Sequence, residues 1–137
     1  MTGFSSLDGE QTFPWLPSGP ALLFAPADRP ERFQKAAERS DMVIIDLEDG
    51  AAVDNHEQAR ANIINNPLDP EATILRITGP GTPTFAEDVA FARTCGYDIV
   101  MVPKIRDSIP AELEGLKIIA MIETPQAMIN IQQIATH

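Results

Sequence analysis

From residue 20 onward the chain alternates between short, continuously apolar runs and longer stretches whose apolar residues recur at helical spacing. The runs Ala21–Ala25, Met42–Leu47, Ala72–Thr78, Ile99–Val102 and Lys117–Ile122 are too short for surface helices, and their unbroken apolarity predicts strands of a sheet buried on both faces. Helices are predicted over Pro30–Arg39, Glu57–Asn65 and Phe85–Cys95, in a short segment near Ala111, and over Pro125–Ala135. In the last of these, Ala127, Met128, Ile131, Ile134 and Ala135 fall on one stripe and are assigned to the core. Asp28 is placed to cap the first helix, Thr84 with Glu87 reads as a capping box, and Gly96 sits where the third helix would stop. Five strand–helix units in series predict a parallel sheet of the α/β class.

The first residues break this rhythm. Five of the 12 prolines (Pro14, Pro17, Pro20, Pro26 and Pro30) lie within the first thirty positions, which predicts an irregular arm over residues 1–19 with Phe13 and Trp15 available to pin it to the body, and a folded domain over 20–137. At 137 residues and 44% apolar composition, that domain can enclose one core. Ten Lys and Arg against 20 Asp and Glu give a formal charge of −10, which disfavours nucleic acid and anionic lipid as partners. No apolar run approaches the roughly 18 residues of a membrane helix. With no signal-peptide pattern and a single cysteine, Cys95, the expected location is cytoplasmic.

In parallel α/β folds, functional groups gather where strands end at their carboxyl side. Here those ends read Asp46-Leu47-Glu48-Asp49-Gly50, Arg76, Pro103-Lys104 and Glu123-Thr124-Pro125. An acid after a strand is often only a helix cap, and a lone lysine is usually solvated. Several such groups aimed into one crevice would instead form a polar site for a divalent cation and an anionic substrate. Oxygen donors with one Cys and two His in the chain favour Mg2+ over zinc.

The segments Leu22-Leu23-Phe24-Ala25-Pro26-Ala27-Asp28-Arg29-Pro30-Glu31-Arg32-Phe33, Ile44-Ile45-Asp46-Leu47-Glu48-Asp49-Gly50, Leu75-Arg76-Ile77, Val100-Met101-Val102-Pro103-Lys104 and Met121-Ile122-Glu123-Thr124, in that order, resemble the successive motifs of the citrate lyase beta-subunit-like family within the HpcH/HpaI aldolase superfamily. The resemblance implies a (β/α)8 TIM barrel of which the first five units are present. It implies an Mg2+-dependent lyase that makes or breaks a carbon–carbon bond in a 3-hydroxyacyl thioester of the citryl-, citramalyl- or malyl-CoA type, carried on CoA or on an acyl-carrier protein. It assigns Glu123 as metal ligand beside the substrate, Arg76 as the grip on the substrate carboxylate, and Glu48 and Asp49 as the acidic pair of the metal pocket. Arg29 and Arg32 fall in the loop that receives the thioester carrier.

Two features depart from the family pattern. His56 stands where the resemblance leads one to expect a lysine. A barrel of this kind takes about 250 residues, and the aspartate expected to share the metal after a sixth strand is not in the sequence. The chain is therefore expected to be close to inactive alone and to self-associate through open sheet edges. Two other readings remain open: a non-catalytic barrel fragment or assembly subunit, and a flavodoxin-like receiver domain. The second would want its phosphorylatable Asp after strand three and its Lys after strand five, where this chain has Arg76 after strand three and Lys104 after strand four.

Overall fold

The computed structural model describes residues 17–136. The predicted arm, with Phe13 and Trp15, lies outside the described residues except for its last three positions. Five strands, β1 (Leu22–Pro26), β2 (Met42–Asp46), β3 (Thr73–Arg76), β4 (Ile99–Val102) and β5 (Lys117–Ala120), all pair in parallel, each with its neighbour in sequence. This sequential order 1-2-3-4-5 overturns the receiver-domain reading, whose flavodoxin-like sheet runs 2-1-3-4-5.

Alternation along each strand divides the apolar residues between two faces. Val43, Ile45, Leu75, Val100 and Val102 face the helical layer and pack with Phe33, Ala59, Ile63, Val89 and Leu113. Met42, Ile44, Ile74, Ile99 and Met101 form a second cluster on the opposite face. Both faces of the three central strands are buried, which is why these strands carry no polar alternation until Asp46 and Arg76 at their ends.

The helices are α1 (Phe33–Ala37), α2 (His56–Asn65), α3 (Phe85–Ala92), α4 (Pro125–Ile129) and α5 (Ile131–Ala135). Three sequence expectations about them need correction. The first helix opens as a 3-10 turn over Pro30–Arg32, so its cap position is Arg29; Asp28 lies one residue too early to cap and uses its N–H to bond Gly50 O. Thr84 does precede α3 but already has helical dihedrals, so its hydroxyl turns instead to Thr78 Oγ1 while Glu87 pairs with Arg60, and no capping box forms. The last helix is broken at Asn130, whose amide donates to Arg106 O and Asp107 Oδ1. The break resets the helical phase: Ala127 and Ile134 are buried, but Met128 and Ile131 are 60% and 43% exposed, Ala135 is exposed too, and all three leave the predicted stripe. Gly96 closes the turn after α3 at φ +90°, the left-handed region glycine enters without cost.

Candidate functional site at the carboxyl ends of the strands

The register sets Asp46 directly beside Arg76 on adjacent strands, with both side chains on the same face. Arg76 Nε donates to Asp46 Oδ1 at 2.8 Å and Nη2 to Oδ2 at 2.7 Å, a two-pronged pair that is buried on both sides. Below it, the ring of Phe24 lies 4.7 Å from the guanidinium carbon, so one face of the cation rests on an aromatic surface.

β2 continues into Leu47-Glu48-Asp49-Gly50, and the chain turns back sharply because Asp46 Oδ1 also accepts the Glu48 N–H at 2.9 Å. Gly50 completes the turn. A β-carbon there would stand 2.5 Å from Asp46 O and 2.7 Å from Pro26 Cα, so only glycine fits this approach. The turn brings Glu48 Oε2 to 3.2 Å from Arg76 Nη1 and Asp49 Oδ2 to 3.3 Å from Nη2. The Glu48 side chain is only 9% exposed, whereas that of Asp49 is 78% exposed. Three carboxylates thus surround one guanidinium. The Asp46 hydrogen bonds raise its pKa above the ordinary arginine value, against the burial that would lower it, and the charges of Asp46, Glu48 and Asp49 add to the rise.

β4 and β5 bring the remaining groups. Lys104 Nζ stands 2.6 Å from Glu48 Oε1, close enough for an ion pair though off the direction a hydrogen bond takes, and this carboxylate raises the lysine pKa. The Lys104 backbone N–H donates to Glu123 Oε1 at 2.8 Å. Glu123 is followed by Thr124, whose hydroxyl accepts the Ala127 N–H and caps α4, and donates to Ile105 O at 2.8 Å.

Of the residues singled out from the sequence, Arg76, Glu48 and Asp49 are in contact, and Glu123 joins them through Lys104. Arg29 and Arg32 lie exposed in the loop after β1, Arg29 3.7 Å from Glu31, and neither bonds to this cluster among the described residues. Two members went unassigned. Asp46 was legible only as a strand end, although a lone acid closing an apolar run signals a charge carried into the core and so in need of a cation. Lys104 was visible as a strand-end charge, but its link to both glutamates depends on backbone geometry. His56, in the expected lysine position, turns away to a separate buried cluster with Asp88.

The donors suit a hard cation but do not enclose one. Asp46 is committed to Arg76, and Glu48 to Arg76 and Lys104, which leaves Glu123 Oε2 and the exposed Asp49 as the open oxygens. Among the described residues no three His, Cys, Asp or Glu side chains gather closely enough to hold a metal. An all-oxygen donor set with one or two available carboxylates is what Mg2+ accepts, because it keeps several waters.

A singly wound parallel sheet with an arginine–carboxylate cluster at its strand ends marks an α/β protein whose site is built from the loops after its strands. The chain belongs to the HpcH/HpaI aldolase/citrate lyase family, whose model matches residues 21–137. It is 43% identical over 119 residues to a citrate lyase subunit beta-like protein of Mycobacterium tuberculosis, covering 86% of this chain and 44% of that one. To an L-malyl-CoA/beta-methylmalyl-CoA lyase of Cereibacter sphaeroides it is 43% identical over 91 residues, covering 61% and 29%. The solved M. tuberculosis protein CitE in complex with magnesium, acetoacetate and coenzyme A superposes with a TM-score of 0.80 at 43% identity, over 85% of this chain and 44% of that one. The chain thus spans less than half the length of these relatives.

Proposed function

We propose that residues 20–137 form the first five units of a (β/α)8 barrel lyase that uses Mg2+ to cleave or form a carbon–carbon bond in a 3-hydroxyacyl thioester of the citryl-, citramalyl- or malyl-CoA type. The observation that carries this is the Arg76 cluster: a guanidinium fixed by a buried carboxylate, with its outer edge facing the exposed Asp49 and one further acid, Glu123, keeping a free oxygen. The malyl-CoA lyase relative and the magnesium, acetoacetate and coenzyme A held by CitE point to the same chemistry.

In this reading Asp46 holds Arg76 rigid through the Nε and Nη2 edge, Glu48 steadies Nη1 at 3.2 Å, and the substrate carboxylate approaches on the Asp49 side of Nη2. Asp49, with the longer contact and the exposed side chain, is the partner it displaces. A planar fork binds a carboxylate with defined orientation, which a lysine in the same place does not. Glu123 holds the cation through Oε2, beside the reacting carbonyl. Mg2+, when bound, supplies Lewis-acid polarisation of that carbonyl. Arg29 and Arg32, exposed after β1, meet the thioester carrier from solvent, Arg29 exchanging its loose 3.7 Å contact with Glu31. The protein is read as cytoplasmic; among the described residues no helix is long and apolar enough to cross a membrane.

Self-association belongs to the same proposal. Leu23 and Phe24 are exposed on the edge strand β1, and a cavity of about 590 Å³ lined by Ile118, Ile122, Ile131 and Ile134 runs along the other edge, β5. The two open sheet edges favour a second reading for this segment by itself, a non-catalytic assembly subunit.

The test joins residues 17–137 to the C-terminal portion of the M. tuberculosis relative and measures cleavage of malyl-, citramalyl- and citryl-CoA with Mg2+ titrated. The expected result is Mg2+-dependent cleavage by the joined protein and almost none by this chain alone. Glu123→Gln should abolish metal dependence and turnover together. Unchanged kinetics in Glu123→Gln would remove that residue from the reaction, and absence of cleavage in the joined protein would favour the assembly role.

A further inference from the structure

Lys104 is the one non-glycine residue with positive φ (+54°) among the described residues. A side chain in the left-handed region costs of order 1 kcal/mol or more relative to glycine and persists only where the surroundings over-determine it. The surroundings here do so. Ile105 O accepts from Thr124 Oγ1, Arg106 bonds Gln126 Oε1 through Nε and Nη2, and Asn130 donates to Arg106 O. The loop after β4 is therefore stitched to the start of α4 over four consecutive residues, and the left-handed turn at Lys104 aims its N–H at Glu123 Oε1. Glycine would adopt this turn freely, so the presence of a lysine asks for a use of the side chain. The stem reaches across to place Nζ 2.6 Å from Glu48 Oε1.

We propose that Lys104 is a positioning residue with two separable actions. Its left-handed backbone holds Glu123 by Oε1, so that Oε2 is the single oxygen presented to the mouth, and its ammonium occupies Glu48, keeping that acid from competing for whatever Glu123 binds. The first action requires only the backbone conformation; the second requires only the charge. The inference deepens the proposed metal role of Glu123 and rests on it for its second readout only.

The experiment uses the full chain. Amide hydrogen exchange at residue 104, followed by NMR, is expected to accelerate by about tenfold in Glu123→Ala, as for loss of a hydrogen bond to a charged acceptor, with exchange at Leu113 unchanged. Mn2+ binding, followed by water-proton relaxation, is expected to differ from wild type by more than about twofold in Lys104→Gly, which keeps the turn but frees Glu48 to compete. In Lys104→Val, which lacks the ammonium equally, it should be weaker than in Lys104→Gly by about tenfold, because a β-branched residue resists positive φ. If Lys104→Val fails to fold, Lys104→Ala is read in its place. Unaltered exchange at residue 104 in Glu123→Ala overturns the proposal whether or not Mn2+ binds. Equal Mn2+ affinity in the Gly and Val (or Ala) variants overturns it too, since the backbone would then not matter. Accelerated exchange with no Mn2+ uptake by the wild type leaves the hold on Glu123 standing and removes the metal from the proposed function.

Discussion

Two clusters in this molecule are each built on a buried carboxylate held by an arginine, yet they are finished differently. Between α2 and α3, Asp88 is fully buried and receives four donors: Arg60 Nη1 at 2.8 Å on Oδ1, and His56 Nε2, Thr78 N and Thr78 Oγ1 at 3.2, 3.0 and 2.8 Å on Oδ2. Arg60 meets its charge, sharing its other Nη with the exposed Glu87, and both Asp88 oxygens are bonded. At the strand ends, Asp46 is matched by Arg76, but Glu48 and Asp49 crowd the same guanidinium and Glu123 stands beyond, with Lys104 as the one further cation in contact among the described residues. Four acids against two bases leave this cluster in excess negative charge and open to solvent on the Asp49 side. A cluster sealed around one fully buried carboxylate stabilises the fold. An unsealed one keeps acids open to solvent for a ligand, which is how the two are told apart.

The sharpest way to test this contrast is to remove the acid from the sealed cluster. Asp88→Ala removes the buried partner of Arg60, leaving it only the exposed Glu87, and leaves Thr78 N–H without an acceptor, and should destabilise by about 3–5 kcal/mol, the cost of breaking a buried pair by deleting one partner. Thermal and denaturant unfolding measure it. A loss below about 1 kcal/mol would mean that water replaces Asp88, and that the cluster is not sealed.

At the mouth, Arg76→Lys retains a charge but loses the two-pronged bond to Asp46, and should cost less, about 1–3 kcal/mol. It should also reduce binding of a dicarboxylate to the joined enzyme more than Asp88→Asn does. If Arg76→Lys destabilised as much as Asp88→Ala and left binding unchanged, the mouth would be a second structural clamp.

The two clusters also differ in how far the sequence revealed them. Asp46, Glu48, Asp49 and Arg76 stand where apolar runs end, so strand polarity alone brings them to one side of the sheet, whereas five short runs separated by helices fit a 2-1-3-4-5 sheet as well, and the order β1 to β5 comes from the observed pairing. Asp88 lies inside a helix, 32 residues from His56 and 28 from Arg60, and nothing local announces that its side chain turns inward. His56, met as a substitute for a lysine, proves to be a partner of Asp88, with Arg60 supplying the cation one helical turn later. The break at Asn130 was hidden for the same reason: helical spacing runs through it, and only hydrogen bonds to the Arg106–Asp107 loop interrupt the helix. Periodicity records burial, but it does not record the tertiary bonds that compete with a helix for its residues.

The smallest expected effect separates both clusters from ordinary burial. Burial pushes the Cys95 thiol and the Tyr97 phenol above their ordinary values of 9.0 and 10.0, and neither residue touches either cluster. A raised pKa means that the folded chain keeps its proton at a pH where the unfolded chain has already lost it, so the unfolded state binds fewer protons and stability falls as pH rises. The loss should begin as pH passes 9.0 and deepen past 10.0, with the unfolding temperature flat between about pH 6 and 8 on this account. Lys104 is raised as well and would add a decline of the same sign above its ordinary 10.5, but its side chain is largely exposed, so salt should screen that part. Unfolding temperatures against pH at low and high salt, for wild type, Cys95→Ala and Tyr97→Phe, divide the contributions. A decline that persists at high salt and vanishes in the two variants belongs to burial near α3. One that disappears with salt and ignores both variants belongs to Lys104 and Glu48, and would show the mouth contributing more to the fold than its excess of acid allows.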